Sequence, residues 1–384
     1  MKQKNKKLVF LTSLFIFALM LKFGAKYLLI DEYVDWFRVI IAFLILALGV
    51  FVLTKTAKII EETSGILSEK TKIAGGLLQS FGTAFPDMVL GIVAAIMALS
   101  VMESDYERAI NFAIIAAAAT FGSNVYNIAH AAWCVFRQNL ANKKSQEVLM
   151  FPGIVKFGKL QPMQSYNNKL SIKEVDVSIN VSTALTIITT FVAISMVIFG
   201  HVKKIPSGMS GDLYQLIAPV GLFILACCMF TLFHFRKSEK NSGQGVEENY
   251  YRDKSNLFIV SNLIVSGIII LSAAEGMVNA VEIFCEIFNI PFVIAGVFIG
   301  IIGCLGEMIV VHNFSVNPNG RIGDAIVGVV MDNIVTICGA AIIAIMGGIF
   351  LGGSALILIF VIILCLNTIL MWQISELKNH ISDK

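Results

Sequence analysis

Charge is what this sequence has least of. Asp, Glu, Lys and Arg together make up 14% of its 384 residues, 57% are hydrophobic, and the mean hydropathy is +0.81. Apolar runs of about 18 residues or more recur along the chain, so a water-soluble core is not a serious rival to a polytopic membrane protein. The signatures of nucleotide and metalloprotease chemistry are missing too. There is no Walker A sequence, no GxGxxG and no HExxH, which leaves ion gradients as the default energy source. No nucleophile–base constellation is evident, and an enzyme is not expected. The seven cysteines (Cys134, Cys227, Cys228, Cys285, Cys304, Cys338 and Cys365) are scattered in apolar segments without CxxC or metal spacing, and read as buried hydrophobes. Net charge is only +3, with the basic residues in loops, so nucleic acid is not an expected partner.

What is present is a series of about ten spans. They read as 8–30, 37–57, 73–100, 108–136, 180–200, 213–235, 257–275, 292–314, 322–347 and 351–373. With a cytoplasmic N-terminus, only Lys22, Lys26, Arg38, Arg108, Lys203 and Lys204 of the 29 Lys and Arg fall outside, as the positive-inside rule requires. The expected location is therefore a cell membrane, plasma or bacterial inner, with the lipid bilayer as a partner. Residues 1–30 form an N-terminal span. They could be a signal peptide, but Phe23–Gly24–Ala25 is a poor cleavage site, which favours a retained anchor. Residues 31–236 form a first half, 237–256 a polar linker and 257–384 a second half. The loop at 137–178 has the alternation of a small hairpin near VLMFPGIVKFG, or is irregular.

One stretch stands apart: Leu77 to Ala95, LLQSFGTAFPDMVLGIVAA. Within an apolar run it places Gly82, Thr83, Pro86 and the carboxylate Asp87. An acid at membrane depth marks a functional site by default. Pro86 has no N–H, which frees the carbonyl of Gly82. Carboxylate, hydroxyl and free carbonyl are the oxygen ligands that hard cations prefer.

A second copy lies at 292–340. Glu307 aligns with Asp87, Gly306 with Pro86 and Cys304 with Ala84. Downstream, Asn333 aligns with Asn124, Asp332 with Ser123 and Thr336 with Asn127. The two copies enter the membrane from opposite sides. Inverted repeats are the signature of secondary transporters, whose site lies at the midplane. In the central third of the spans the charged residues are Asp87, Glu307 and Asp332, with no Lys or Arg at that depth. Buried carboxylates without partners must protonate or find a cation. The expected ligands are a metal cation, protons, or both in alternation. Other features read as packing or solvated: Gly75, Gly76, Gly91, Gly300 and Gly303 as close-packing positions, His130 and His312 as packing histidines, and Glu61, Glu62, Glu282 and Glu286 as solvated.

GTAFPD at 82–87 and GSNVYN at 122–127 resemble the first repeat of the calcium/cation antiporter superfamily, which includes the sodium/calcium exchangers. IGCLGE and VVMDNIVT match the second repeat more weakly. The resemblance spans roughly residues 37–373. It implies an all-α fold with two inverted-topology repeats, in which acids of the two motifs ligate Ca²⁺ or Na⁺ in turn. It puts Asp87 and Glu307 at the acid positions, Thr83 at a hydroxyl position, and Asn124 and Asn127 at polar positions. The chain departs from the pattern. Asp replaces Glu at 87, Ala119 and Gly328 stand where the family has Asn, and Gly303, Cys304 and Gly306 stand for Thr, Ser and Pro. An extra span precedes the first half, and the second half lacks a counterpart of the last family helix. Asp332 is an added acid.

The expected site thus comprises Asp87, Glu307 and Asp332, with Thr83, Asn124, Asn333 and carbonyls near Gly82 and Gly303. The expected activity is exchange of Ca²⁺ against Na⁺ or H⁺, with no cofactor beyond the transported cations. The alternatives are a proton-coupled exchanger of K⁺ or Mn²⁺, and a degenerate homologue that no longer transports and acts as a membrane interaction partner. The sequence does not specify an oligomeric state.

Overall fold

The computed structural model describes residues 2–71, 75–166, 171–205, 211–235, 250–317 and 322–382, without the side chains of 2–6, 65, 68, 69, 71, 75–83, 235, 324 and 382. The described residues form ten helices: α1 Lys2–Leu28, α2 Asp35–Thr71, α3 Gly75–Val101, α4 Tyr106–Lys144, α5 Ile172–Phe199, α6 Ala218–Phe235, α7 Asn256–Phe288, α8 Phe292–Ser315, α9 Ile322–Met346 and α10 Gly353–Ser382. Nine are long and apolar enough to cross a membrane, and α6 adds a shorter apolar helix over Ala218–His234. The chain is a multi-pass integral membrane protein with an all-α fold, in agreement with the ten spans read from hydropathy. Most of the linker read at 237–256 lies outside the described residues.

Two helix ends differ from the hydropathy reading. Helix α5 begins at Ile172, not near 180, because Ser171 and Glu174 close a reciprocal capping box. Its first turns carry Lys173, Glu174 and Asp176, which no apolar window includes. Helix α4 likewise continues past the apolar run to Lys144, where Ser145 takes a left-handed conformation and closes the helix.

The helices alternate in direction, so α1, α3, α5, α7 and α9 start on the N-terminal face and the others start on the opposite one. Ion pairs respect this sidedness. Lys7–Glu62 (3.1 Å) and Lys378–Asp176 (2.5 Å) join ends on the N-terminal face. Arg38–Glu286 (3.6 Å) and Arg108–Glu282 (2.6 Å) join ends on the opposite face. Glu282, read as solvated, is instead buried, with Arg108 Nε and Nη2 donating to its two oxygens at 2.6 and 2.9 Å. The partner is 174 residues away, so nothing local signals it. Arg108→Gln should lower stability by about 2 kcal/mol, less than for a fully enclosed pair because the arginine is half exposed. Thermal unfolding in detergent checks this, and removing both charges should recover most of the loss.

On the N-terminal face the 137–178 segment does form a hairpin, β1 Val148–Phe151 with β2 Ile154–Leu160. It is tied to α4, where Trp133 Nε1 donates to the Met150 carbonyl at 3.1 Å. On α8, the His312 ring stacks on Phe151 and its Nε2 lies 2.9 Å from the Phe157 carbonyl oxygen. His130 and His312 stack with centroids 6.0 Å apart, as packing residues. On the opposite face, β3 Leu213–Gln215 pairs with β4 Phe350–Gly352, joining the α5–α6 and α9–α10 connections.

Helices α4 and α9 are enclosed, each with 83% of its most apolar window buried, whereas α1, α2 and α10 turn large apolar side chains outward. The enclosure of α4 rests on small residues. Ala118 and Ala119 meet Gly296 and Gly300 of α8, and Gly122 meets Val297 between them, so small residues let the two backbones touch. A Cβ on Gly300 would lie 2.5 Å from the Ala119 carbonyl oxygen. The polar residues of the two repeats are thereby held at the centre of the bundle.

Candidate cation site

Four helices meet at mid-depth: α3 with Asp87, α4 with Ser123, Asn124 and Asn127, α8 with Glu307, and α9 with Asp332, Asn333 and Thr336. All eight side chains are at most 5% exposed. Helix α3 passes through Pro86 without a break. The missing N–H still leaves the Gly82 carbonyl without its helical donor. Gly82 and Thr83 themselves lie outside the residues whose side chains are described.

The hydrogen bonds cross between repeats. Thr336 Oγ1, from the second repeat, lies 3.2 Å from Asp87 Oδ2 of the first and can donate to it. It also lies 3.1 Å from the Asp332 carbonyl. Asn127 Nδ2, from the first repeat, donates to Glu307 Oε2 of the second and, at 3.4 Å, to Asn333 Oδ1. The sequence alignment pairs Thr336 with Asn127 and Asp87 with Glu307, so the two contacts are equivalents under a pseudo-twofold exchange of repeats. The intra-repeat neighbours correspond as well. The Ser123 hydroxyl donates to the Thr120 carbonyl of its own helix at 2.9 Å and lies near Asp87, and its aligned counterpart Asp332 lies within electrostatic range of Glu307. Where the first repeat has a hydroxyl the second has a carboxylate, so the site carries three acids rather than two.

These contacts leave much of the site unsatisfied. Asp87 Oδ1, Glu307 Oε1, Asn127 Oδ1, Asn333 Nδ2 and both polar atoms of Asn124 are buried without a hydrogen-bond partner. Each such atom costs about 1–3 kcal/mol relative to a satisfied one, and more when it belongs to a charged group. Four are certain or possible oxygen donors on α3, α4 and α8. The spans supply no Lys or Arg at this depth to neutralise the acids. The donors do not form a closed cage: among the described residues, no group of three or more His, Cys, Asp or Glu has the geometry to hold a metal ion.

Gly303 lies inside the uninterrupted α8, and what the structure gives it is clearance. A Cβ there would lie 2.9 Å from both Cα and Oδ1 of Asp87. Gly91 gives similar clearance to Thr120, whose Oγ1 would be 2.4 Å from a Cβ. Over the site, Leu53, Thr54 and Ala57 of α2 face Pro86, Gly303 and Gly306 across a gap too small for a water molecule. Gly306 is loose there, with Ala57 Cβ 4.0 Å from where its own Cβ would be.

Asp87 and Asp332 are thus joined through Thr336, Glu307 and Asn333 through Asn127, and Asn124 is buried on α4 without a hydrogen-bond partner. In the sequence, Ser123 and Thr336 enter by alignment of the two repeats, and Cys304 reads as a buried hydrophobe that stands where the resembled family has Ser. The signal for Ser123 and Thr336 was their register with Asp332 and Asn127. No protein-family model matches this sequence, and no curated protein matches it. Solved structures do match. The crystal structure of the H⁺/Ca²⁺ exchanger CAX aligns with a TM-score of 0.60 at 12% identity, covering 99% of this chain and 95% of that one. The structure of native YfkE aligns with a TM-score of 0.53 at 14% identity, covering 95% and 96%. The sodium-calcium exchanger NCX_Mj covers 89% of this chain and 97% of its own at 16% identity, with a TM-score of 0.45. Over nearly its whole length, this chain has the fold of the H⁺/Ca²⁺ exchanger CAX and of YfkE.

Proposed function

We propose that the protein is a member of the calcium/cation antiporter superfamily and a secondary-active cation antiporter, most simply of Ca²⁺ against Na⁺ or H⁺. The supporting observation is the set of buried, unpartnered carboxylate and amide oxygens on α3, α4 and α8, with no cationic side chain at that depth. A bound cation would satisfy them, as oxygen donors satisfy Ca²⁺ elsewhere. Asp87 and Glu307 form the core of the site, and Asp332, Asn124 and Asn333 complete it. Three carboxylates exceed the charge of one divalent ion by one, which leaves room for a proton or Na⁺. Competition for shared oxygens then couples the two fluxes. The fold agrees with a transporter rather than an enzyme.

Access to the site requires α2 and α7 to move relative to α3 and α8. The loose contact of α2 at Ala57 over Gly306 is where such sliding meets least resistance.

The test is ⁴⁵Ca²⁺ uptake into proteoliposomes with an outward Na⁺ gradient or an outward H⁺ gradient imposed separately. One of them should drive uptake, and collapse of that gradient by the matching ionophore should stop it. Acidifying both sides should weaken Ca²⁺ binding, because protonated carboxylates no longer attract the ion. Uptake indifferent to both gradients would overturn the coupling. Proton-driven uptake of K⁺ or Mn²⁺ without Ca²⁺ would reassign the cargo.

A further inference from the structure

The hairpin on the N-terminal face ends in apolar side chains left outside the core. Pro152 and Gly153 make its turn, with Gly153 at φ +80°, a left-handed value that glycine adopts freely. Directly after it, Ile154, Val155 and Phe157 are 47%, 67% and 45% exposed. Alternation puts Val155 and Phe157 on one face of β2, and Ile154 with the exposed Lys156 on the other, so neither face of the tip is buried. The base of the hairpin shows where this tip lies. Phe151 stacks on Trp133 of α4 at 6.2 Å, and Trp133 in turn meets Phe136 at 5.8 Å. Helix α4 is mostly enclosed, yet Phe136 is 42% exposed. Amphipathic aromatic rings such as that of Trp133 collect at the membrane–water boundary. On α8, Ile309 lies one turn before His312 and is 50% exposed, as a lipid-facing residue of a span would be. The hairpin therefore borders the lipid at the level of the headgroups. The surrounding charge is positive. Between 137 and 160 the chain has five cations, Arg137, Lys143, Lys144, Lys156 and Lys159, and one acid, Glu147, which Lys159 pairs at 3.2 Å. Lys143, Lys144 and Lys156 are exposed.

We propose that the hairpin tip, Ile154 to Phe157, inserts into the headgroup layer of the protein's own bilayer and binds anionic lipid there. Apolar side chains flanked by cations have the composition of an interfacial anchor. The apolar part leaves water for the acyl boundary, and the lysine stems reach back to the phosphates. A neutral lipid surface meets the first need alone. The excess of cations is matched by anionic headgroups, which attract each Lys or Arg near the surface. Through Trp133 to the Met150 carbonyl and His312 to the Phe157 carbonyl, the hairpin is tied to α4 and α8, two of the helices that carry the candidate site. An anchor at its tip holds the ends of both helices at a fixed depth. This anchoring does not depend on which ions the protein carries.

The test places a bimane label at Val155→Cys, in a chain that also carries Cys365→Ser because Cys365 is exposed. The protein is reconstituted in vesicles whose phosphatidylcholine carries a headgroup nitroxide, with or without phosphatidylglycerol. Quenching in the anionic vesicles should exceed that in the neutral ones by at least ~2-fold, and high salt should remove most of the excess. A label open to iodide in the medium and untouched by the nitroxide in both vesicles would overturn the insertion. Equal nitroxide quenching in both would overturn the anionic-lipid assignment. Ready oxidative cross-linking of the unlabelled Val155→Cys chain into a dimer, without lipid quenching, would seat a second copy on the tip and contradict the proposal.

Charge reversal separates the apolar part of the anchor from the cationic part. Lys143→Glu, Lys144→Glu and Lys156→Glu together, added to the labelled chain, should reduce quenching in the anionic vesicles to the neutral level or below. All three side chains are exposed, so the fold should survive, and thermal unfolding in detergent checks that it does. Retention of the full anionic excess in the triple variant would contradict the role given to these cations.

Discussion

Asp87→Asn is expected to abolish gradient-driven cation uptake, by on the order of 100-fold or more, and to leave the protein at least as stable as wild type. The loss follows from charge. Cation affinity in oxygen sites changes by orders of magnitude with ligand charge count. The substitution removes one of two acids placed symmetrically by the repeats. The retained stability follows from the same burial. Asp87 is fully enclosed, one of its oxygens has no partner, and no Lys or Arg neutralises it. An unpaired buried carboxylate is costly, so an amide of the same shape relieves the fold. The Thr336 hydroxyl, 3.2 Å from Oδ2, can still donate to an amide oxygen. Thermal unfolding in detergent together with uptake in liposomes checks both halves. A residue needed for packing would lose both together. Wild-type flux in the variant would remove Asp87 from the site.

Gly300→Ala is expected to act in the opposite way, through the fold first. A Cβ at 300 would lie 2.5 Å from the Ala119 carbonyl oxygen and 2.9 Å from the Ser123 amide nitrogen. Both are backbone atoms of α4, so no side chain can rotate away. Helix α8 must move off α4 at a cost of about 3 kcal/mol. At this chain length that corresponds to a fall in Tm of about 4 °C. Gly303 is one turn further along α8 and Glu307 two turns, so the displacement also opens the contact of Gly303 with Asp87 and of Glu307 with Asn127. Uptake should fall together with Tm. Gly328→Ala is the matched control: a Cβ there meets nothing within 4 Å, and alanine favours the helix. Its stability should stay within about 0.5 kcal/mol of wild type or rise slightly.

Much of this was legible in the sequence because a membrane is a strict solvent. Spans must be apolar and about 20 residues long, so hydropathy finds them, and a charge at mid-depth is conspicuous. Asp87, Glu307 and Asp332 stood out for that reason, and Asn124 and Asn333 by their register in the two repeats. The small residues of the α4–α8 contact could be anticipated from GVFIG at 296–300. What escaped depended on distant partners or on polar helix ends. Glu282 looks like a solvated residue on an amphipathic connection until Arg108 arrives from another helix. The first turns of α5 carry charges that belong to a capping box rather than to a loop. The crossing of Thr336 to Asp87 and Asn127 to Glu307 is a property of the folded pair of repeats, and neither repeat alone contains it.

The central claim is that a cation held between Asp87 and Glu307 is released only in exchange for another. It is tested most directly by efflux from proteoliposomes preloaded with ⁴⁵Ca²⁺ and diluted into alkaline, Na⁺-free medium, with or without external Ca²⁺ or Na⁺. The account predicts slow efflux into the bare medium and rapid efflux once an exchangeable cation is present outside, with no acceleration in Asp87→Asn. Efflux equally fast in the bare medium, or acceleration that persists in the variant, would contradict it.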